Sequence, residues 1–203
     1  MAVDNIGQAL VFNGATWFLD TSAIFPDSSA LPAQVSCKSA SFCMVVRGGY
    51  AVSWDGRAFS APVNVVAPVY DFTSVSCPAQ GSCVAVSNNA VGYYSSGQWT
   101  TTEGVNHGSY LSCPTMGLCI SVGLPADAWT YRNGAWSGPV DLGSKTFGPA
   151  ELSCPPGTSA RQSAVTARAT AWQRVTRSRR RLGGVPVACP IGQSATVFQG
   201  HSR

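Results

Sequence analysis

The most reactive side chains in this sequence belong to its eight cysteines, and six of them form pairs with one common spacing. In each pair a Ser-Cys dipeptide is followed by five residues and then a second Cys. Five residues fit a hairpin loop, and cysteines that face each other across antiparallel strands lie within reach of a disulfide. The spacing therefore predicts bridges within the pairs and leaves Cys154 and Cys189 as free thiols. The predicted pairs are Cys37 with Cys43, Cys77 with Cys83, and Cys113 with Cys119.

Metal binding is the other chemistry that paired cysteines can support. Zinc sites usually place about two to four residues between paired ligands and often add a His. Here the gap is five residues, and His107 is the only His before the last few residues. We therefore expect no metal and no cofactor. Regularly paired cysteines indicate an oxidising compartment, which predicts a secreted or cell-surface protein.

Few residues support nucleophilic or acid–base catalysis. A Ser or Cys nucleophile needs a nearby base, and His107 stands beside Gly108 in a loop, where we expect it to be solvated. Glycoside hydrolysis needs two carboxyl groups. Asp4 and Asp55 occupy turn positions, in which Asp usually bonds its own backbone. We therefore expect a protein that is not an enzyme.

A glycan-processing enzyme of the sialidase type is the alternative. Such a site would hold a sugar carboxylate with several arginines, and only Arg47, Arg57 and Arg132 precede residue 158. We expect these three to be solvated loop residues. Convergence of the three guanidinium groups with carboxylates at one end of the fold would favour the enzyme.

Large aromatic residues are frequent for this length and give the better prospect of binding. Most of them are expected to pack between sheets. The others could stack on a flat, uncharged ligand, so the expected partner is a glycan or another protein. The candidate ligand-binding residues are Trp17, Trp99, Trp136, Tyr94 and Tyr131.

These side chains belong to a repeat of about 40 residues. The first cysteines of the motif, including Cys154, are spaced by 40, 36 and 41 residues. Between the cysteine pairs, an aromatic residue, a Gly-containing turn and a second aromatic recur, which is a strong hairpin signal. Its four copies are Phe12–Trp17, Trp54–Phe59, Tyr94–Trp99 and Tyr131–Trp136.

Each period therefore holds about four short strands, which is the size of one β-propeller blade. We predict an all-β, propeller-like array of about four four-stranded blades over residues 1–158, forming an incomplete propeller. Independent hairpins or a β-sandwich are the alternatives, and the regular spacing argues against the sandwich. Open sheet edges in such an array should favour self-association.

The joint pattern of Val75-Ser76-Cys77-Pro78, Cys83-Val84-Ala85-Val86 and the Tyr94–Trp99 hairpin resembles Cys-paired propeller repeats of secreted or surface proteins from actinobacteria. The resemblance covers residues 1 to about 158 and implies a disulfide-stapled binding or scaffold module. The segment Ser53–Phe59 is loosely similar to the Asp-box of sialidase-like propellers. That box is a structural turn, so it implies no catalysis.

Charge divides the chain near Thr158. Residues 1–158 hold five Lys and Arg against nine Asp and Glu, a net charge of −4, whereas residues 159–203 hold eight Arg and no acid, a net charge of +8. An argument for nucleic-acid binding would therefore rest on the tail alone, and we expect none for residues 1–158. No apolar run approaches the roughly 20 residues of a membrane-spanning helix.

Both ends of the chain depart from the repeat. Met1–Asn5 aligns with the residues that follow the second Cys elsewhere, so we expect a truncated first blade from a longer secreted parent whose signal peptide is missing here. After Thr158 the repeat demands Cys at position 160, where the chain has Ala. One permitted codon set, read one base earlier, restores that Cys, which predicts a frameshifted, non-native tail over residues 159–203. Such a tail should be disordered or loosely helical.

Overall fold

The computed structural model of the chain describes residues 1–4, 7–20, 24–26, 31–67, 71–125, 127–142, 149–152, 184–189 and 193–199. Every regular element among these residues is a β-strand, and all of the strand pairs are antiparallel. The strands form five separate sheets. The all-β class predicted from the repeat is thereby confirmed.

The sheets follow one another along the chain. Sheet 1 contains β1 (Ala2–Val3), β2 (Ala9–Phe12) and β3 (Trp17–Asp20). Sheet 2 contains β4 (Gln34–Ser39), β5 (Phe42–Arg47), β6 (Tyr50–Trp54) and β7 (Val63–Asn64). Sheet 3 contains β8 (Ser74–Ala79), β9 (Ser82–Val86), β10 (Ala90–Ser95) and β11 (Gln98–Glu103). Sheet 4 contains β12 (Tyr110–Thr115), β13 (Leu118–Gly123), β14 (Asp127–Arg132) and β15 (Ala135–Asp141).

Sheets 2, 3 and 4 are four-stranded meanders, each with its strands in chain order, as in the blades of a propeller. Their first strands lie side by side, since β4 contacts β8 and β8 contacts β12. At the two ends of this series, β1 contacts β4 and β12 contacts β16. The described sheets thus form an open, propeller-like array of blades.

Sheet 1 has three strands, and the repeat identifies which ones they are. Its β2–β3 hairpin carries Asn13-Gly14 and corresponds to the hairpins between the third and fourth strands of sheets 3 and 4. Strand β1 therefore corresponds to a second strand. This position matches the alignment of the first residues with those that follow the second Cys of each pair.

Three disulfides join the cysteines that the spacing pairs: Cys37–Cys43, Cys77–Cys83 and Cys113–Cys119. Each lies across the hairpin of the first two strands of its sheet, with the two Cα atoms 4.0 Å apart. Cys154 and the side chain of Cys189 lie outside what the structure describes, so their free state stays a prediction.

In the first two motifs, the serine before the first Cys links one sheet to the next. The Ser36 Oγ accepts a hydrogen bond from the backbone N–H of Cys77 at 3.0 Å. One repeat later, the Ser76 Oγ accepts from the N–H of Cys113 at 2.9 Å. Repetition of the Ser-Cys dipeptide therefore has a structural cause, because each serine satisfies a donor on the first strand of the following sheet.

Strand alternation places apolar side chains on both faces of the central sheets, since each sheet has a neighbour on either side. In sheet 3, Ala85 belongs to the core between sheets 2 and 3, whereas its neighbours Val84 and Val86 belong to the core between sheets 3 and 4. All three are buried.

The Arg-rich segment differs from our expectation where the structure describes it. Sheet 5 pairs β16 (Pro149–Glu151) with β18 (Gln193–Gln199), and β18 with β17 (Gly184–Cys189). The expectation of a disordered or loosely helical tail is thus wrong for 184–189 and 193–199, because antiparallel pairing satisfies their backbone groups. The remaining tail, and with it position 160, lies outside the described residues.

Candidate functional site

Each Gly-containing hairpin carries a pair of aromatic rings in contact. In sheets 3 and 4 the pairs are Tyr94 with Trp99 and Tyr131 with Trp136, whose ring centroids lie 5.3 and 5.4 Å apart. The turn of the sheet 4 hairpin is Asn133-Gly134, and both of its residues have positive φ, 48° and 95°. This conformation is the one that Asn-Gly favours in two-residue hairpins, and it sets the register that places the two rings opposite each other.

The candidate residues of sheet 3 pack in the core between sheets 2 and 3. The Tyr94 ring lies 6.3 Å from that of Phe42, and the Trp99 ring lies 6.1 Å from that of Phe72. Phe42 and Phe72 are buried members of this core. Tyr94 and Trp99 are therefore positioned as packing residues, at a sheet–sheet junction that protein side chains fill.

The first candidate residue, Trp17, lies on β3 at the opposite end of the array from sheet 4. Its ring is paired with that of Phe12 at 5.3 Å, and 55% of its surface is exposed. The structure thus separates Trp17 from the other four candidate residues and leaves it on the surface.

A cavity of about 290 Å³ lies between sheets 3 and 4, and it brings together the remaining two candidates, Tyr131 and Trp136. Its walls are aromatic and aliphatic with a few hydroxyl and backbone groups. The lining residues are Val91, Tyr93, Thr102, Val105, His107, Tyr131, Gly134 and Trp136.

The connection between sheets 3 and 4, which carries His107 to the cavity, is shorter than the connection between sheets 2 and 3. Val66 and Val105 are equivalent, since each donates its N–H to the carbonyl of the turn between the second and third strands, Gly49 O and Asn89 O. Thr73 and Ser109 are equivalent by their bonds to Val86 O and Val122 O. Six residues lie between Val66 and Thr73 in the first connection. Only three lie between Val105 and Ser109 in the second.

This difference removes an aromatic side chain from the junction. The residue before Thr73 is Phe72, which packs against Trp99, whereas the residue before Ser109 is Gly108. A Cβ at Gly108 would lie 2.6 Å from Val122 O, so no side chain fits there. His107 takes the place instead, and its ring stacks on Trp136 with a centroid distance of 4.6 Å.

His107 is not the solvated loop histidine that we expected from the sequence. Its Nδ1 atom is buried without a hydrogen-bond partner among the described residues. The Asn106 Oδ1 accepts from the N–H of Gly108 at 2.9 Å, which fixes the turn that directs the imidazole inward. Burial lowers the pKa of His107 below its ordinary value of 6.5, so the ring is neutral at pH 7.

Tyr93 supplies the opposite wall from sheet 3. Its hydroxyl oxygen accepts a hydrogen bond from the Trp136 Nε1–H at 2.6 Å, and its ring lies 5.7 Å from that of Tyr131. Burial raises the pKa of Tyr93 above 10.0, against the hydrogen bond from Trp136, which lowers it. The phenol therefore stays protonated, and no Asp, Glu, Lys or Arg is among the lining residues that the structure describes.

The arginines considered for a carboxylate site are held apart. Arg47 ends β5 and is buried with its guanidinium 5.3 Å from the centre of the Phe25 ring, which corrects the expectation that it is solvated. Arg57 is exposed in the turn after β6, at the opposite end of sheet 2. Arg132, also exposed, ends β14 in sheet 4.

Two aspartates have the turn role that the sequence predicts. The Asp55 carboxylate accepts from the N–H groups of Arg57 and Ala58, both at 2.8 Å, and these bonds lower its pKa. The Asp4 carboxylate accepts from the N–H of Gln8 at 2.8 Å. Among the described residues there is no cluster of three His, Cys, Asp or Glu side chains suited to a metal ion.

Comparison of the chain with protein-family models and with curated proteins found no match. The described part of the chain contains no helix long and apolar enough to cross a membrane. The geometry of the cavity therefore carries the functional argument.

Proposed function

We propose that this protein is a secreted or cell-surface binding module built from disulfide-stapled, propeller-like blades, and that it binds an uncharged glycan in the cavity between sheets 3 and 4. The observation that carries the proposal is the grouping of Tyr93, Tyr131, Trp136 and neutral His107 around one cavity. The resemblance to Cys-paired propeller repeats of secreted actinobacterial proteins agrees with this function.

The chemistry of the walls favours a neutral ligand. Aromatic rings offer flat apolar faces, while the Tyr hydroxyls and the side chain of Thr102 offer hydrogen bonds. Ligand pockets typically measure about 300 to 1,000 Å³, so this cavity is at the small end of the range. We infer that it takes one sugar unit, such as a terminal or branching residue of a longer glycan.

An extracellular location is supported by the three intrachain disulfides. Cystine bridges persist in oxidising compartments and are rare in the cytosol. Each closes a loop of seven residues, counting both cysteines, and contributes roughly 2 kcal/mol in the chain-entropy account.

We propose binding rather than glycan hydrolysis. The separation of Arg47 from Arg57 and the lack of a carboxylate among the described residues of the cavity wall both favour binding. A fluorogenic sialoside assay tests the alternative, a glycan-processing enzyme of the sialidase type. Hydrolysis by the protein above the rate in buffer alone would favour the enzyme over the binding module.

The binding site is tested by filling the cavity. Thr102 lines it from the exposed strand β11, so Thr102→Trp should block access and weaken glycan binding at least tenfold in isothermal titration. The matched control is Thr101→Trp, because Thr101 pairs with Gly92 and points to the other face of the sheet. A glycan array identifies the probe for the titration.

Two results contradict the proposal. One is the absence of binding to every neutral glycan of the array at high protein concentration. The other is equal affinity of the wild type and Thr102→Trp for a glycan that does bind, since the cavity would then not be the site.

A further inference from the structure

The outer strand of sheet 3, β11, forms an open sheet edge. It pairs with β10 through six consecutive residues, Gln98–Glu103, without a register shift, and none of the described strands pairs with its other side. Five of the six residues are exposed, and Trp99 is half-buried. Sheet 3 has a described sheet on either side, so this edge lies within the array rather than at one of its ends.

The outer strands of the neighbouring sheets carry features that discourage pairing, and β11 does not. Proteins commonly protect sheet edges with very short strands, prolines, bulges or charges. In sheet 2 the outer strand β7 has only two residues, and in sheet 4 the outer strand β15 contains Pro139 and pairs with β14 through a register shift. The only charged residue of β11, Glu103, stands at its end. Among the outer strands of these three sheets, β11 is therefore the one best suited to accept another strand.

The hairpin fixes which backbone groups of β11 point outward. Its two-residue turn, Ser96-Gly97, has positive φ at both residues, so Ser95 and Gln98 form the hydrogen-bonded pair that closes the turn. The bond from the Gly104 N–H to Asn89 O continues the same alternation at the far end of the hairpin. Every second residue of β11 therefore directs its N–H and C=O away from β10, namely Trp99, Thr101 and Glu103.

We propose that β11 pairs antiparallel with β11 of a second copy of this chain, about a two-fold axis at Thr101. Only residues with outward backbone groups can exchange hydrogen bonds, so Thr101 pairs with Thr101 of the second copy, and Trp99 pairs with its Glu103. A shift of this register leaves at least one outward-pointing residue unpaired. Each copy supplies the same strand to the contact, as a closed two-fold dimer requires.

The side chains of β11 fit a second copy in this register. Two threonines face each other at the centre, which is a favourable cross-strand pair. The charged residue of each copy, Glu103, lies opposite Trp99 of the other copy, so no like charges oppose each other. The strand is thus complementary to itself in both hydrogen bonding and charge.

The pairing also brings the two candidate cavities to one side of a continuous sheet. Thr102 lines the cavity and lies on the opposite face of β11 from Thr101. In the proposed register Thr102 stands opposite Thr100 of the second copy, so the second copy borders the cavity. Two-site glycan binding by such a dimer rests on the proposed function, whereas the association itself does not and is tested without ligand.

The test measures molar mass by sedimentation and light scattering over a wide range of protein concentration. The wild type should pass from monomer to dimer as the concentration rises. Thr101→Pro removes the outward N–H at the centre of the contact, so it should raise the dissociation constant of the dimer at least about tenfold. An edge strand tolerates Pro where the N–H faces outward, and an unchanged circular dichroism spectrum checks the fold. Thr101→Val is the matched control, because it keeps the N–H and should leave the dissociation constant unchanged.

A charge-pair experiment tests the register. Thr101→Lys and Thr101→Glu each place like charges opposite each other at the two-fold axis, so at low salt each variant alone should associate more weakly than the wild type. An equimolar mixture should associate more tightly than either variant alone, because Lys then faces Glu. A wild type that stays monomeric at all concentrations, equal dissociation constants for the wild type and Thr101→Pro, or a mixture that associates no better than its components would each overturn the proposal.

Discussion

Removing one hydroxyl group from the serine series tests how the blades are joined. Ser76→Ala deletes the acceptor that bonds the N–H of Cys113 at 2.9 Å, while the strand backbone is unchanged. Cys113 is 6% exposed, so its N–H has little access to water once the serine oxygen is gone. We expect unfolding to become easier with no change in secondary structure.

The magnitude follows from the cost of an unpaired buried donor. Leaving such a group unsatisfied costs about 1 to 3 kcal/mol. Ser76 is half-buried, so water can reach part of the vacated space, and we expect a loss of about 1 to 2 kcal/mol in the free energy of unfolding. For a chain of about 200 residues this corresponds to a fall in Tm of roughly 2 to 8 °C.

The assay is urea unfolding under non-reducing conditions, followed by tryptophan fluorescence. Ser76→Thr is the matched control, because it retains the hydroxyl acceptor, and Ser36→Ala repeats the experiment at the preceding junction, where the Cys77 N–H is bonded. A loss below about 0.5 kcal/mol for both alanine variants, or equal losses for Ser76→Ala and Ser76→Thr, would refute the role of the serine oxygen.

Three further outcomes follow from particular residues. During graded reduction, the Cys37–Cys43 bridge should open first, because Cys37 is exposed whereas both cysteines of each of the other two bridges are buried. Alkylation and peptide mass spectrometry measure the order of opening, and simultaneous opening of all three bridges would contradict this prediction. Gly108→Ala should lower the free energy of unfolding by about 1 kcal/mol more than Gly81→Ala does, because both residues have positive φ but only at position 108 would the new Cβ clash with Val122 O. Equal urea midpoints for the two variants would exclude that clash. The lowered pKa of His107 means that the unfolded state binds its proton more tightly, so the contribution of this group to the free energy of unfolding is complete above pH 6.5 and declines as the pH falls below it. Urea midpoints measured across this range should show the decline, and His107→Gln should remove it. An unchanged slope of midpoint against pH in that variant would argue against the neutral, buried ring.

The sequence predicts the repeated features of this fold because each is set by local chemistry. Two cysteines across a hairpin define a bridge, and an Asn-Gly turn between aromatic residues defines a register. Both recur at the predicted places in sheet 4. The strands at 184–189 and 193–199 escaped prediction because they carry neither the cysteine pair nor the aromatic hairpin that identified the other blades.

The candidate cavity is harder to predict because it depends on what lies between two sheets. Tyr131 and Trp136 were found from their repeat, but so were Tyr94 and Trp99, which occupy equivalent positions at a filled junction. The pattern of an aromatic pair is the same whether the preceding sheet packs tightly against the two rings or leaves a cavity beside them. That information lies in the length of a connection rather than in the pair itself.

Residues that depart from the repeat therefore indicate the candidate site better than the regular spacing of the cysteines and aromatic residues does. Tyr93 stands where the other central sheets have Ser53 and Thr130, each immediately before the first aromatic residue of the Gly-containing hairpin. His107 stands in a connection three residues shorter than its counterpart, beside a glycine where that counterpart has Phe72. Both departures face the same junction, where the Tyr93 hydroxyl and the His107 ring meet Trp136 from different sides. Apolar filling alone would complete such a junction, so the two polar aromatic residues placed against one tryptophan at this cavity are the observations that favour the proposed ligand site.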